Sequence, residues 1–367
     1  MKYIYILYSI CIISITLFSY LFIDPNLSYL GNLFTGFSFT NRAITSVVFT
    51  FFITVLFVFY LFFQRTKKID LKSLRNLVLI SAACLIFSYP TVTSYDIFNY
   101  MSTARVAYFY HENPYIVMPN EFIGDEMLTY TRAANKTALY GPVWIMLTSV
   151  PYTIGFSNFL ATLLFFKLFV GVFYLGLVFL IFHLSNKSIQ KTLFFALNPL
   201  VLLETFVAGH NDVVMMFFVL ASFYFLSKKK MSFSILFLFL SISIKFATIF
   251  LIPVYVLAIL KIVKKEKVDF QKLWIYSLLS MTIIFLLSPL REELYPWYAI
   301  WLIPFVSLTE GHKILKRVVI AVCFGLLLSY VPYMYTGEYS FSTYTVKHLL
   351  IVMPVAAVLL FGLIFKK

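Results

Sequence analysis

Apolar runs of about 20 residues recur from one end of this 367-residue chain to the other, separated by short charged or Pro/Gly breaks. Such a run matches the length a helix needs to cross the hydrocarbon core of a bilayer. Apolar residues make up 62% of the chain and charged residues 12%, against about 45–50% and 25% in soluble domains. A soluble domain of this size has too little interior to hide that much apolar surface. The expected class is an all-α polytopic membrane protein, a single domain over 1–367 with about 12 transmembrane helices. The runs fall at about 3–23, 43–63, 77–94, 159–184, 192–208, 213–227, 231–244, 246–260, 273–289, 296–308, 318–335 and 345–365. The first follows Met1-Lys2 with no small-residue cleavage site after it, so it reads as an uncleaved span rather than a signal peptide.

The net charge of +14 invites a nucleic-acid reading, but the cations sit in clusters between apolar runs, as membrane orientation requires. Placing Lys2, loops 64–76, 185–191, 261–272 and 309–317, Lys228–Lys230 and Lys366–Lys367 on the cytoplasmic side gathers 21 of the 29 Lys and Arg there. That asymmetry follows the positive-inside bias, and it puts 95–140 on the opposite face as a loop with interfacial helices. It also requires 141–157 to dip in and return, and 231–260 to be two short helices turning near Lys245. The alternative, in which 141–157 crosses and 231–260 is one helix, violates the charge bias. Lys167 falls inside a span. The three cysteines, Cys11, Cys84 and Cys323, lie in apolar runs at no metal-ligand spacing and read as core residues.

Polar groups that can carry chemistry collect on the external face in this topology. Asp96, in Ser94-Tyr-Asp96-Ile-Phe-Asn-Tyr100, is a helix cap or a carboxylate placed at the membrane surface to take a proton from a substrate hydroxyl. Tyr100 shares its helix face; Arg105, nine residues on, is half a turn out of phase and cannot grip the same atom. Glu204, inside a run and followed by Gly209-His210-Asn211-Asp212, is an ionisable group at membrane depth and therefore a functional candidate. One His with two carboxylates and no second His is a weak zinc pattern. Lys245, between two apolar stretches, snorkels to the interface or meets an anion, either a lipid phosphate or a carboxylate. Arg291-Glu-Glu-Leu-Tyr295-Pro-Trp297-Tyr298 is an interfacial aromatic anchor or a sugar-stacking surface, and Tyr130-Thr-Arg132 with Tyr140-Gly-Pro-Val-Trp144 pairs rings and a cation in the same way. No Walker or dinucleotide glycine pattern is present, which leaves nucleotide-driven work unsupported.

The order Asp96-(x3)-Tyr100-(x4)-Arg105, Asn113-Pro-Tyr115, Tyr140-Gly-Pro142, Asn198-Pro-Leu-Val-Leu, Gly209-His-Asn-Asp212, Lys245 with Pro253, and Pro296-Trp-Tyr298 closely resembles the bacterial polyprenol-phosphate-mannose-dependent α-mannosyltransferases of the GT-C superfamily. Ala104 and His111-Glu112 stand where that family often has Gly. The resemblance implies a GT-C-like bundle and a polyprenyl-phosphate sugar donor. It further implies a glycan or lipid acceptor, a hexose that is mannose, inverting transfer without a covalent intermediate, and an extracytoplasmic site in the cell membrane. By position, Asp96 would be the general base, and Arg105, Lys245 and Arg132 would neutralise the leaving phosphate. Glu204, His210, Asn211 and Asp212 would line the sugar or phosphate pocket, with Tyr100, Tyr140, Trp297 and Tyr298 packed near it. No cofactor is implied, and a divalent metal requirement is left open. The rival class is a transporter or flippase of a lipid-linked sugar, which should show paired halves with broken helices.

Overall fold

The computed structural model describes residues 1–23, 36–66, 68–290 and 292–364. Lys67, Arg291 and Lys366–Lys367, used above in the charge and motif readings, lie outside them. The regular elements among the described residues are all helices, without a strand. In chain order the α-helices are α1 Lys2–Ser19, α2 Phe37–Thr40, α3 Arg42–Arg65, α4 Leu71–Leu85, α5 Asp96–Tyr108, α6 Pro142–Ile154, α7 Phe159–Leu184, α8 Ile189–Ala196 and α9 Pro199–Leu202. They continue as α10 Asp212–Ser227, α11 Met231–Ile242, α12 Ile252–Val263, α13 Phe270–Leu287, α14 Ile303–Leu308, α15 Lys313–Leu328, α16 Val331–Thr336 and α17 Phe341–Ile364.

Among the described residues, seven helical segments are long and apolar enough to cross a bilayer, and eight if the bent pair Pro199–Val207 and Asp212–Ser227 counts as one span. That is fewer than the twelve expected from apolar runs, because several runs fold into short or broken helices. The run at 77–94 ends as α4 at Leu85, and a 3-10 turn over Pro90–Val92 follows. The run at 192–208 breaks at Leu197-Asn198, where the Asn198 side chain accepts the Leu200 N–H at 3.0 Å. At 231–260 there is no single helix: α11 ends at Ile242 and Lys245 stands in the break before a 3-10 turn over Phe246–Leu251. Helix α6 has 13 residues, about 20 Å at 1.5 Å per residue, short of the ~30 Å hydrocarbon core.

The chain divides into two compact units. The first comprises Met1–Thr40, Asn76–Leu177 and Leu202–Phe246. Here α1 lies along α4, with the Tyr8 hydroxyl 2.7 Å from Ser81 Oγ. Every helix end leaves carbonyls without an intrahelical partner, and side chains from elsewhere in the unit meet those of α4. Thr16 donates to Cys84 O at 3.1 Å, Tyr20 to Phe87 O at 2.7 Å, and the ammonium of buried Lys167 on α7 donates to the carbonyls of Leu85 and Ser88. The in-span lysine therefore acts on the end of α4. Helices α10 and α11 form a hairpin in which Ser234 and Ser241 donate to the Ser222 and Met215 carbonyls at 2.9 and 3.0 Å, the small-residue contact that lets helices approach in lipid.

A reciprocal cap joins α6 to the end of α11. Gly141 N–H donates to Ile244 O at 3.0 Å and Val143 N–H to Ser243 O at 3.1 Å. The orphan donors of one helix start thus satisfy the orphan acceptors of another helix end. A Cβ at Gly141 would collide with the Ser243 carbonyl.

The second unit comprises Asn41–Arg75, Val178–Val201 and Ala247–Lys367. Helix α3 carries Phe57 against Phe324 of α15, ring centroids 5.1 Å apart, and its Tyr60 hydroxyl donates to Phe194 O of α8 at 2.8 Å. Gly325 of α15 meets the α17 backbone at Leu350 and Ile351. Leu349, Val352 and Met353 on α17 stay exposed, as a lipid-facing surface should. Replacing Gly141 with Ala forces the α6–α11 cap apart, an overpacking cost of about 1–3 kcal/mol. Thermal unfolding of the detergent-solubilised variant should show the corresponding loss.

Candidate active site

The site is built in the first unit by chain breaks rather than by a continuous helix. After α9 the backbone passes into a π-helical turn over Leu203–Val207, a form found mostly at functional positions. It then bends by 116° into α10. Gly209 has φ +75° and a Cβ there would lie 2.5 Å from Ile97 Cδ1, so a left-handed backbone and a close neighbour both call for glycine. The His210 N–H returns to the Glu204 carbonyl at 2.9 Å, which holds the imidazole over its own turn.

Asp96 reaches this turn from α5. Its N–H donates to Ser94 Oγ at 3.1 Å; Asp96 itself opens the helix, where the positive end of the dipole favours a carboxylate. Asp96 Oδ2 lies 3.7 Å from His210 Nδ1, and His210 Nε2 lies 3.3 Å from Glu204 Oε2. The Asp96 side chain is 28% exposed while those of His210 and Glu204 are fully buried. One carboxylate thus faces outward over a buried imidazole with a second carboxylate beneath it.

Beside this line, Lys245 bridges both oxygens of buried Asp212 at 2.9 and 3.1 Å. Of the readings open for Lys245, the described contact is with a protein carboxylate at the start of α10. The reciprocal cap at Gly141 sets its position, because Lys245 directly follows the capped Ile244. Tyr140, next to that cap, packs edge-on to Tyr100 at 4.6 Å, and Trp144 does so at 5.1 Å. The Tyr100 hydroxyl accepts the Asn211 N–H at 3.5 Å and senses the charges of Asp96 and Asp212. Neither amide atom of the buried Asn211 side chain meets a hydrogen-bond partner among the described residues; such groups in native interiors ask for an explanation.

The other expected residues make contacts of their own. Arg105 points to the other side of α5, as its phase requires, and pairs with Asp125 at 2.5 Å, where the Tyr110 hydroxyl also donates at 2.6 Å. Desolvation and then the Asp125 carboxylate push the Tyr110 phenol up, so it remains a donor. Arg132 stacks over Tyr95, 4.4 Å from the ring centroid and one residue before Asp96. Trp297 and Tyr298 belong to the second unit, within a ladder in which Tyr295 stacks on Trp297 at 4.5 Å and Tyr298 on Trp301 at 4.2 Å. Among the described residues no group of three or more His, Cys, Asp and Glu is arranged to hold a metal ion.

Two residues of this neighbourhood escaped the sequence reading. Asn99 lies 3.5 Å from Asp96 Oδ1 and accepts the Ala133 N–H at 3.1 Å, tying the external loop to the Asp96 helix. Its i+3 spacing from Asp96 is the signal that could have found it. Asp125 carries no such signal, being 20 residues from Arg105 in sequence. Gly209→Ala should strain the turn by about 1–2 kcal/mol and displace His210. A full-length Gly209→Ala protein that folds should lose most of its activity; an unchanged rate would show that the turn geometry is immaterial.

A family model described as alpha-(1->6)-mannopyranosyltransferase, N-terminal domain (MptA_B family) matches residues 10–261. That segment contains Asp96, Glu204, His210, Asp212 and Lys245 together. No curated protein and no solved structure matches the chain. The match spans well over half of the sequence and agrees with a multi-pass helical protein, so the chain belongs to the alpha-(1->6)-mannopyranosyltransferase family and is a membrane glycosyltransferase.

Proposed function

We propose that the protein moves mannose from a polyprenyl-phosphate donor to a hydroxyl of a glycan or lipid acceptor, with inversion, at the extracytoplasmic face of the cell membrane. The observation that carries this reading is the partly exposed carboxylate of Asp96, held at a helix start above a buried His-Glu pair. The charge asymmetry of the loops supports the choice of face.

Asp96 takes the proton of the acceptor hydroxyl. The acceptor oxygen forms its bond to the anomeric carbon as the bond from that carbon to the phosphate oxygen breaks, and the electron pair leaves with the phosphate. A single displacement from the opposite side inverts the anomeric centre. Lys245 and Arg132 supply positive charge to the departing phosphate, Arg132 with a fork that can bind two oxygens. Asp212, buried beneath Lys245, holds the ammonium in place for the phosphate, and the Asn211 amide, with both a donor and an acceptor, is the nearest buried polar group to it in sequence. Arg105 acts further out, where it fixes the external loop through Asp125. A transporter of lipid-linked sugar would call for broken helices in pairs, and among the described residues there is one bent pair.

Purified protein in lipid, given radiolabelled polyprenyl-phosphate-mannose and membrane extract as acceptor, should transfer label. Asp96→Asn should lower the rate by about 10²–10⁴-fold at normal expression, and full activity in that variant would remove Asp96 as base. Lys245→Ala should mainly raise the donor concentration needed for half-maximal rate. Unchanged donor dependence would take Lys245 out of the phosphate site.

A further inference from the structure

Family position would place Glu204 and His210 in the lining of the sugar or phosphate pocket, but both side chains are fully buried and stacked behind Asp96. We propose instead that they are positioning groups for the base: Glu204 orients the His210 imidazole so that its Nδ1 lone pair faces Asp96, giving Asp96 a hydrogen-bond acceptor once it has taken the proton. This inference rests on the reading of Asp96 as the general base.

An ionised carboxylate only accepts hydrogen bonds. Both ring nitrogens face a carboxyl group, and the nearer one, Glu204 Oε2 at 3.3 Å from Nε2 against 3.7 Å for Asp96 Oδ2 from Nδ1, draws the one N–H of a neutral imidazole to Nε2; the partner on one nitrogen decides the state of the other. Nδ1 is then a lone pair 3.7 Å from Asp96 Oδ2. While Asp96 is ionised, that lone pair and the carboxylate repel weakly and the gap stays wider than a hydrogen bond. When the acceptor's proton arrives, the Asp96 O–H donates to Nδ1 and a small side-chain rotation closes the gap. The proton stays on Asp96 until product leaves, then returns to water through its exposed edge. Because the attraction exists only after proton transfer, it lowers the barrier without tightening ground-state binding.

The backbone bond from His210 N–H to Glu204 O and the left-handed Gly209 hold the two side chains in register. Other charged or titratable groups around the pair are Tyr100 from α5, Asp212 from the start of α10, Lys245 after α11, and Arg132 over Tyr95. Lys245 is paired with Asp212, and the groups that face the two ring nitrogens of His210 are the carboxyl groups of Asp96 and Glu204.

The test uses full-length protein in lipid with polyprenyl-phosphate-mannose, recording kcat, the donor KM and the pH dependence of kcat for wild type, Glu204→Gln, Glu204→Asp and His210→Gln. Glu204→Gln and His210→Gln should each lower kcat by at least about tenfold and leave donor KM within about twofold. Both should also move the acidic limb of the kcat profile to lower pH, since an Asp96 deprived of its acceptor is a weaker base and stays ionised further into acid. Glu204→Asp, which keeps the carboxylate, should recover part of the rate. A raised donor KM with an unmoved acidic limb would return Glu204 and His210 to the pocket lining, and an unchanged kcat would deny them any role. If either Gln variant fails to fold, the other carries the same readouts. Asp96→Asn in the same assay separates the two levels: full activity there removes the base itself, whereas loss there with normal Glu204→Gln and His210→Gln kinetics removes only the positioning role.

Discussion

Backbone N–H and C=O groups within a bilayer must find partners inside the protein, and a helix that stops there exposes several at once. Three helix breaks of the first unit, after Leu85, between Val207 and Asp212 and after Ile242, fall inside or at the end of apolar runs. Each is made tolerable by a specific repair. Thr16, Tyr20 and Lys167 meet the carbonyls after α4; the π turn and the His210-to-Glu204 backbone bond close the second break; the start of α6 caps the end of α11. The polar groups of the site stand in or beside these breaks. Without the repairs there would be no place in an apolar bundle for Asp96, His210 or Lys245 to converge.

The charges follow the same logic of compensation. A buried lysine or carboxylate is costly unless paired or hydrogen-bonded. Asp212 is matched by Lys245, and Arg105 by Asp125; Lys167 spends its donors on carbonyls at a helix end whose dipole is negative. Asp96 differs in being both partly exposed and adjacent to a buried imidazole. That combination of access on one side and a buried polar backing on the other suits the role of base proposed for it. The aromatic wall of Tyr100, Tyr140 and Trp144 adds shape while contributing few competing charges.

Much of this was legible in the residues. Apolar run length gave a multi-pass helical protein, and the isolated polar groups pointed to Asp96, Glu204, the Gly-His-Asn-Asp turn and Lys245, which the fold gathers in one unit. Helical phase alone separated Arg105 from Asp96. The number of spans was less legible, because an apolar run does not say whether it crosses or breaks: α6, α11 and the segment Pro296–Leu308 are all apolar yet short.

Composition and run length by themselves determined the solvent this chain folds in, since no soluble interior can hold so much apolar surface. Motif order determined the family. Only the tertiary structure decided that Lys245 answers Asp212, that Arg105 answers Asp125, and that Glu204 and His210 lie behind Asp96 rather than beside it. Those pairings join residues from 20 to more than 100 positions apart. They depend on which helix end caps which, and helix packing fixes that choice where local sequence preference cannot.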